Sequence, residues 1–384
     1  MWNKIKNIFN FQQGGTILGF TQFVAAGITA IFTIFAAPLL GPENLGLVSY
    51  FLAIAAIGFT ISSFGVANIL LVYLSKGIKL FSTMSFLVLI SAAITGIVVF
   101  FIFNEISIVI VIIGHVIFEL AIHELLAKQM YKKYMKYFLT QRIIFIIFGL
   151  PAFFLFDYTG FILVYGLSMF PSIIRIYFGF KESRVNFTLV KERVSFVANN
   201  YALYLARVLF SYVDRLIIVP LFGYAILGNY ELAMQGVLLG NVFSVFLYNY
   251  LLPKDARKER TDKLKIYAIG GSIAISIFII FVSPYILPLL FPEFQDAVDL
   301  IPIMGLSIVP HVFVTLYMSK FLASENTKII LISSVIHFAT LVSAILILAH
   351  YYGTLGLIIG FILGEIVEAL FLMVMHKKTF KSLI

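Results

Sequence analysis

The sequence predicts an all-α polytopic membrane protein, with about twelve transmembrane helices in two six-helix lobes related by a parallel repeat. Composition, the alternation of charge between loops and an internal repeat all point to it. Of 384 residues, 61% are hydrophobic and only 12% are charged, and the mean hydropathy is +1.05. A soluble domain carries about 25% charged residues, so this chain lacks the polar surface that would keep it in water. Apolar runs of roughly 20 residues, enough to cross about 30 Å of hydrocarbon as helix, recur from end to end.

Read against turn signals, the runs place helices near 15–38, 46–72, 80–103, 106–127, 139–156 and 160–180. A second set follows near 197–221, 226–251, 264–290, 299–322, 328–349 and 353–376. The breaks at Asn104-Glu105 and Asp157–Gly160 are the shortest. The N-terminal stretch MWNKIKNIFNFQQGG is weakly basic and amphipathic, without the apolar core and cleavage site of a removable signal peptide. The chain has no cysteine, which excludes disulfides, thiol catalysis and thiolate metal sites.

Charge checks the span count independently. Lysines and arginines cluster at 4–6, 76–79, 128–136, 181–193, 254–265, 320–328 and 377–381. With these spans, every such cluster falls on one side. The opposite loops carry Glu43, Glu105, Asp157, Glu293, Asp296 and Asp299 and no lysine or arginine. Basic residues are retained in the cytoplasm during insertion, so a multi-pass protein of the cell membrane with both termini cytoplasmic is expected. The net charge of +9 reflects this topology, and no nucleic-acid partner is expected.

Residues 38–46 read PLLGPENLG and residues 220–228 read PLFGYAILG. Pro38, Leu39, Gly41, Leu45 and Gly46 match Pro220, Leu221, Gly223, Leu227 and Gly228 without a gap. Each copy sits at the outer turn after the first helix of its half. An even number of spans separates them, so both halves insert the same way up. The expected organisation is a lobe over 1–180, a linker over 181–196 and a lobe over 197–384. In the linker, basic residues interleave with Val185, Phe187, Leu189 and Val194, a pattern suited to the membrane interface.

The stretch APLLGPENLGLVSYFLAIA, with a second helix ending in NILLVYLSKG, resembles the opening hairpin of Wzx-type polysaccharide flippases. In the second half, SYVDRLIIVPLFGYAILGNYELAMQ followed by NYLLPKDARKER is similar to the seventh and eighth helices of the same family. These motifs suggest the multidrug/oligosaccharidyl-lipid/polysaccharide (MOP) exporter superfamily. The resemblance implies a MATE-like fold of two lobes around a cavity that opens to each side in turn. It implies transport of a polyprenyl-diphosphate-linked oligosaccharide to the outer leaflet for surface glycan synthesis. Membrane lipids and glycan polymerases or glycosyltransferases are the implied partners, with no cofactor.

Intramembrane charges cost about 2.5–3.5 kcal/mol each on the insertion scale and face protein or water. Arg207, Ser211, Asp214 and Arg215 share one face of the seventh helix, at spacings i, i+4, i+7 and i+8. The eighth adds Asn229, Glu231, Gln235, Asn241 and Asn249. In the family these helices line the cavity, and arginine suits a diphosphate because its fork binds phosphate bidentately. Arg207, Asp214, Arg215, Glu231, Gln235 and Asn241 are therefore the candidate substrate residues. Against this stands a structural reading, in which Asp214 pairs with Arg207 or Arg215 to hold the bundle and Arg215 with Glu231 forms a rim pair.

The fourth helix carries His115, Glu119 and His123 at i, i+4 and i+8, a candidate proton or cation coupling stripe, with Glu124 beside it. No metal site is expected there, since a metal-binding motif is missing. Arg175 is expected to snorkel at the cytoplasmic end of the sixth helix. His311, His337, Glu365 and Glu368 look scattered and receive no role.

A membrane glycan polymerase or ligase needs carboxylates presented on a sizeable outer loop. The longest outer loop, around Phe291–Asp299, is short, and neither an Asp-x-Asp pair nor a nucleotide-binding glycine loop occurs. A transporter is expected, not an enzyme. Within the superfamily, a multidrug antiporter calls for an acidic, aromatic pocket and a sugar-lipid flippase for a basic, polar one. The seventh helix leans basic and the fourth acidic, while the polar residues of the first, Thr21, Gln22, Thr29 and Thr33, include no acid. The balance favours the flippase.

Overall fold

The computed structural model describes residues 13–235, 237, 244, 251, 255, 261–324 and 326–381. Every regular element among the described residues is helical. Hydrocarbon offers no water to an unpaired N–H or C=O, and a helix satisfies both within one segment.

Among the described residues, eight helices are long and apolar enough to cross a membrane. Two have double length, Ile17–Ser63 with 47 residues and Tyr131–Glu182 with 52. Each is broken where the sequence predicts an outer turn. Gly41 (φ 72, ψ 168) interrupts Gln13–Ser63, and Phe156 (φ −140, ψ 21) with Asp157 (φ 54, ψ −154) interrupts Tyr131–Leu167. Val194–Phe222 and the helix beginning at residue 224, described as far as residue 235, stand where the sequence places its seventh and eighth spans. The chain is a multi-pass helical membrane protein. Beyond residue 235 the eighth predicted span lies almost wholly outside the described residues.

The turns use residues that tolerate positive φ. Asn104 (φ 52) closes Phe81–Phe103 in the left-handed conformation, its N–H donating to Phe100 O at 2.7 Å. The fifth helix begins at Tyr131, not near 139. Its first two turns stay helical because they are amphipathic, with Lys132, Lys133 and Lys136 exposed and Tyr134 buried. The predicted tenth helix is two shorter ones, Gln295–Met304 and Ile308–Ala323, joined by a 3-10 turn at Gly305–Ser307.

The chain divides into two compact units, 1–40 with 47–217 and 41–46 with 218–384. In the first, Ile106–Ala127 is the central helix and packs on Val66–Ser75, Phe81–Phe103 and Tyr131–Leu167. Its apolar stretch is 61% buried, against 22–31% for the other long helices of that unit. The linker also belongs here. Ser82 Oγ donates to Gly179 O (3.0 Å) and Ser183 O (2.8 Å), and Asn186 N–H donates to Thr83 Oγ1 (2.9 Å). Asn186 then caps the short helix Phe187–Lys191. In the second unit Thr327–Tyr352 and Thr354–Lys381 form a tight antiparallel pair, with Ile308–Ala323 against the latter.

The repeated motif meets itself in the second unit. Gly41 and Gly223, equivalent in the repeat, both have positive φ, +72° and +83°. A Cβ on Gly46 would lie 1.8 Å from Tyr224 O, and one on Gly228 would lie 1.8 Å from Pro42 O. Pro42 and Tyr224 are also equivalent, so the contact is self-complementary, as a two-fold crossing requires. Each glycine presents hydrogen to the other copy's carbonyl, an approach that only glycine permits. Gly46→Ala and Gly228→Ala should therefore each lower the melting temperature in detergent, by about 1–3 kcal/mol or more of stability. Gly270→Ala, whose Cβ meets nothing within 4 Å, should be near neutral.

Candidate functional site

The predicted substrate residues fall on two helices. Asp214, buried, pairs with its neighbour Arg215 at 3.1 Å. Arg215 also donates to Ser211 O (2.8 Å) and lies over the Tyr212 ring at 5.2 Å. Arg207 belongs to Val194–Phe222, but its side chain lies outside the described residues, as does all of Asn241. Glu231 (buried) and Gln235 (half-buried) lie on the helix that begins at residue 224. Asn229, beside Glu231, accepts the Ala297 N–H at 3.0 Å and so ties this helix to the start of Gln295–Met304.

The first unit gathers the three predicted coupling residues on Ile106–Ala127. His115 donates Nδ1–H to Val111 O (3.2 Å) and His123 donates to Glu119 O (2.9 Å). Because a carbonyl only accepts, each neutral ring keeps Nε2 as its free acceptor. His123 Nδ1 also lies 3.5 Å from Glu119 Oε1. His115 packs between Phe59 and Tyr165, centroids 5.4 and 5.6 Å away. Gln22 donates to Tyr134 Oη at 2.7 Å, and the Glu119 carboxylate acts electrostatically on the same tyrosine. The hydroxyls of Thr21, Thr29 and Thr33 turn back to carbonyls of their own helix, so of the polar residues predicted there it is Gln22 that reaches across.

Arg142 completes this group and was not singled out from the sequence. Its charge reaches His115, and its guanidinium lies over Phe138 at 5.8 Å. Its Nε is buried and makes no hydrogen bond. A buried donor left open costs about 1–3 kcal/mol, more for a charged group, and so marks Arg142 as a candidate. The available signal was an arginine eleven residues into an uninterrupted helix.

Below it sits a structural network. Arg175 does not snorkel. It is buried and grips Glu124 with two hydrogen bonds, Nε to Oε2 (3.0 Å) and Nη2 to Oε1 (2.7 Å). Lys128 donates to Glu124 Oε1 (2.7 Å) and pairs with Glu182. Burial opposes the charge on Lys128, but its hydrogen bonds to Glu124 and Glu182 and their negative charge outweigh it and hold its pKa above the usual lysine value. The network ties the C-terminal end of Ile106–Ala127 to Ile173–Glu182.

The second unit corrects the impression of scatter. His311 Nδ1 lies 3.1 and 3.2 Å from the two Glu365 oxygens, and His337 Nδ1 lies 3.1 Å from Glu368 Oε2. Ser333 donates to Glu368 Oε1 at 2.9 Å. Three helices bring together residues up to 57 positions apart (311 to 368), which no local pattern signals.

This arrangement of helices is shared with solved structures of transporters. A multidrug resistance MATE family transporter of the MOP superfamily, in an inward-facing conformation, superposes with a TM-score of 0.72 at 16% identity, over 96% of this chain and 98% of its own. The lipid II flippase MurJ, inward closed, gives 0.75 at 14% identity, over 94% and 87%. The chain has the MATE/MurJ fold. A MOP superfamily transporter from Pyrococcus furiosus, described by the reverse polarity of its binding pocket, gives 0.58 at 16% identity, over 96% and 94%. No family model and no curated protein matches the sequence. At these identities the likeness establishes the fold alone.

The Glu124 network yields a graded prediction. Glu124→Gln strands the buried Arg175 and should cost about 3–5 kcal/mol. Arg175→Met leaves Glu124 its Lys128 partner and should cost less. Thermal unfolding of the purified variants, read by fluorescence-detected gel filtration, checks the order.

Proposed function

We propose that this chain is an alternating-access flippase that carries a polyprenyl-diphosphate-linked oligosaccharide from the cytoplasmic to the outer leaflet. The observation that carries the reading is Arg142, an intramembrane guanidinium whose buried Nε lacks a hydrogen-bond partner in the first unit. An anionic oxygen suits that open donor, since arginine binds phosphate as a fork. Arg207, Asp214, Arg215, Glu231, Gln235 and Asn241 are the further substrate residues, with Arg207 first among them. Gln22 and Tyr134 supply neutral groups of the kind that sugars hydrogen-bond. The fold shared with MATE transporters and with MurJ supports transport over enzymatic chemistry.

In this reading the sugar-diphosphate head enters from the cytoplasm while the polyprenyl tail stays in lipid. Two lobes, 1–180 and 197–384, rock about the interfacial linker 181–196, and the head leaves outside. Both termini are cytoplasmic and the membrane is the cell membrane. Glycan polymerases or glycosyltransferases are the fitting protein partners. His115, Glu119 and His123 couple the cycle to a proton or cation gradient. A MATE-type exporter of organic cations is the second reading, favoured by the acidic Glu119 on the fourth helix.

Translocation in proteoliposomes decides between them. Protein-dependent movement of a polyprenyl-diphosphate oligosaccharide is expected, and Arg142→Gln and Arg207→Ala should each reduce it at least tenfold with unchanged insertion. Movement of a lipophilic cation alone would move the chain to the second reading. His115→Ala and Glu119→Gln should abolish stimulation by an imposed ion gradient, and variants that keep full stimulation would remove the coupling role.

A further inference from the structure

We propose that His337, Glu365 and Glu368, steadied by His311 and Ser333, form a binding site for one divalent transition-metal cation. Their donor atoms, one imidazole nitrogen and two carboxylate oxygens, lie within 4.8 Å of one another. A tetrahedral ion with bonds of 2.0–2.2 Å brings its ligands to about 3.4 Å apart, a contraction that small side-chain rotations supply. Glu365 and Glu368 stand at i, i+3 on one face of Thr354–Lys381, and His337 comes from Thr327–Tyr352. His337 and Glu365 lie ten and eleven residues into their helices, about 15 Å along each, which is mid-membrane depth.

Charge is the first argument. Both carboxylates are buried, Glu365 at 7% and Glu368 at 6% exposure. Among the described residues their partners are two imidazoles and one hydroxyl, with no lysine or arginine. Lys320, on Ile308–Ala323, lies about 13 Å along that helix from His311 and contacts His376 at 3.1 Å instead. Lys328 opens the next helix nine residues before His337, and Gln295–Met304 contributes only the acids Asp296 and Asp299. Two carboxylates in hydrocarbon call for two positive charges, and one divalent ion supplies both.

Geometry is the second. His337 Nδ1 is buried and lies 3.1 Å from Glu368 Oε2 without the alignment of a hydrogen bond, a relation that suits two atoms directed at a third. The remaining carboxylate contacts resemble an outer shell. Ser333 holds the free oxygen of Glu368 and His311 bridges Glu365, as outer partners orient metal ligands elsewhere. Gly364 lets the His337 ring lie flat on the facing helix, since a Cβ there would be 3.3 Å from it.

The donor set selects the ion. Imidazole with carboxylates suits Zn²⁺, Co²⁺ or Mn²⁺, whereas Ca²⁺ and Mg²⁺ take oxygen ligands throughout. A bound ion would clamp Thr327–Tyr352 to Thr354–Lys381 with Ile308–Ala323 as buttress, and so fix the packing of these three helices during transport.

The purified full-length chain, stripped with chelator and titrated with Co²⁺ in detergent, tests this independently of any transport assay. One equivalent should bind with the visible absorption of a low-symmetry Co²⁺ site, and Zn²⁺ should displace it. Glu365→Gln, Glu368→Gln and His337→Gln, isosteric or nearly so, should each weaken binding at least tenfold while eluting as folded protein. His311→Gln and Ser333→Ala should weaken it less, and Glu119→Gln in the other unit should leave it unchanged. Absence of stoichiometric binding would overturn the proposal, as would equal affinity in a Glu365→Gln/Glu368→Gln double variant. In either case imidazole–carboxylate pairing alone accounts for the cluster.

Discussion

Hydrocarbon cannot hydrate a polar group, and the rest of this structure depends on that constraint. It makes every described element helical, because only a helix satisfies its own backbone within one span. It also favours a partner inside the protein for a buried side chain with a charge or hydroxyl. Serines and threonines bond back to their own turn, as Thr21, Thr29 and Thr60 do. Charged groups meet across helices, as Arg175 and Glu124 do. Among the described polar groups left incompletely matched, Arg142 Nε and His337 Nδ1 belong to side chains that bind ligands as a fork or a nitrogen donor, and a ligand is best sought there.

The glycine crossing shows the same constraint acting on backbones. Where two outer turns meet, Gly46 and Gly228 bring hydrogen against the carbonyls of Tyr224 and Pro42. Side chains there would hold the turns apart. Van der Waals contact and Cα–H···O approach replace the hydrophobic drive that a water-soluble pair of helices would have. The repeat is thus a packing motif seen twice, and its spacing of five residues, Gly41 to Gly46 and Gly223 to Gly228, is a turn glycine followed by a contact glycine.

Much of the fold was legible because the membrane converts composition directly into architecture. Long apolar runs read as spans, and the one-sided lysines and arginines confirmed the parity that Asn104 and Asp157 alone left thin. Helix starts were less legible. Tyr131–Lys136 is polar on one face and buried on the other, so its helix extends eight residues beyond the apolar run that announces it. The polar sites were legible only where one helix carries them. His115, Glu119 and His123 stand in register on a single face, whereas His311, His337 and Glu365 come from three helices. Arg142 fell inside the predicted fifth helix without being singled out, and only the packing around it shows its guanidinium over the Phe138 ring.

The central claim is that Arg142 faces a water-filled path that a diphosphate headgroup enters. The chain contains no cysteine, so an Arg142→Cys variant carries a single thiol that a membrane-impermeant cationic thiol reagent can probe, with Lys133→Cys as the exposed standard. Modification of the Arg142→Cys variant is expected in inside-out and permeabilised membranes, at a rate approaching that of the Lys133→Cys variant. An unreactive Arg142→Cys variant beside a reactive Lys133→Cys variant would contradict the claim.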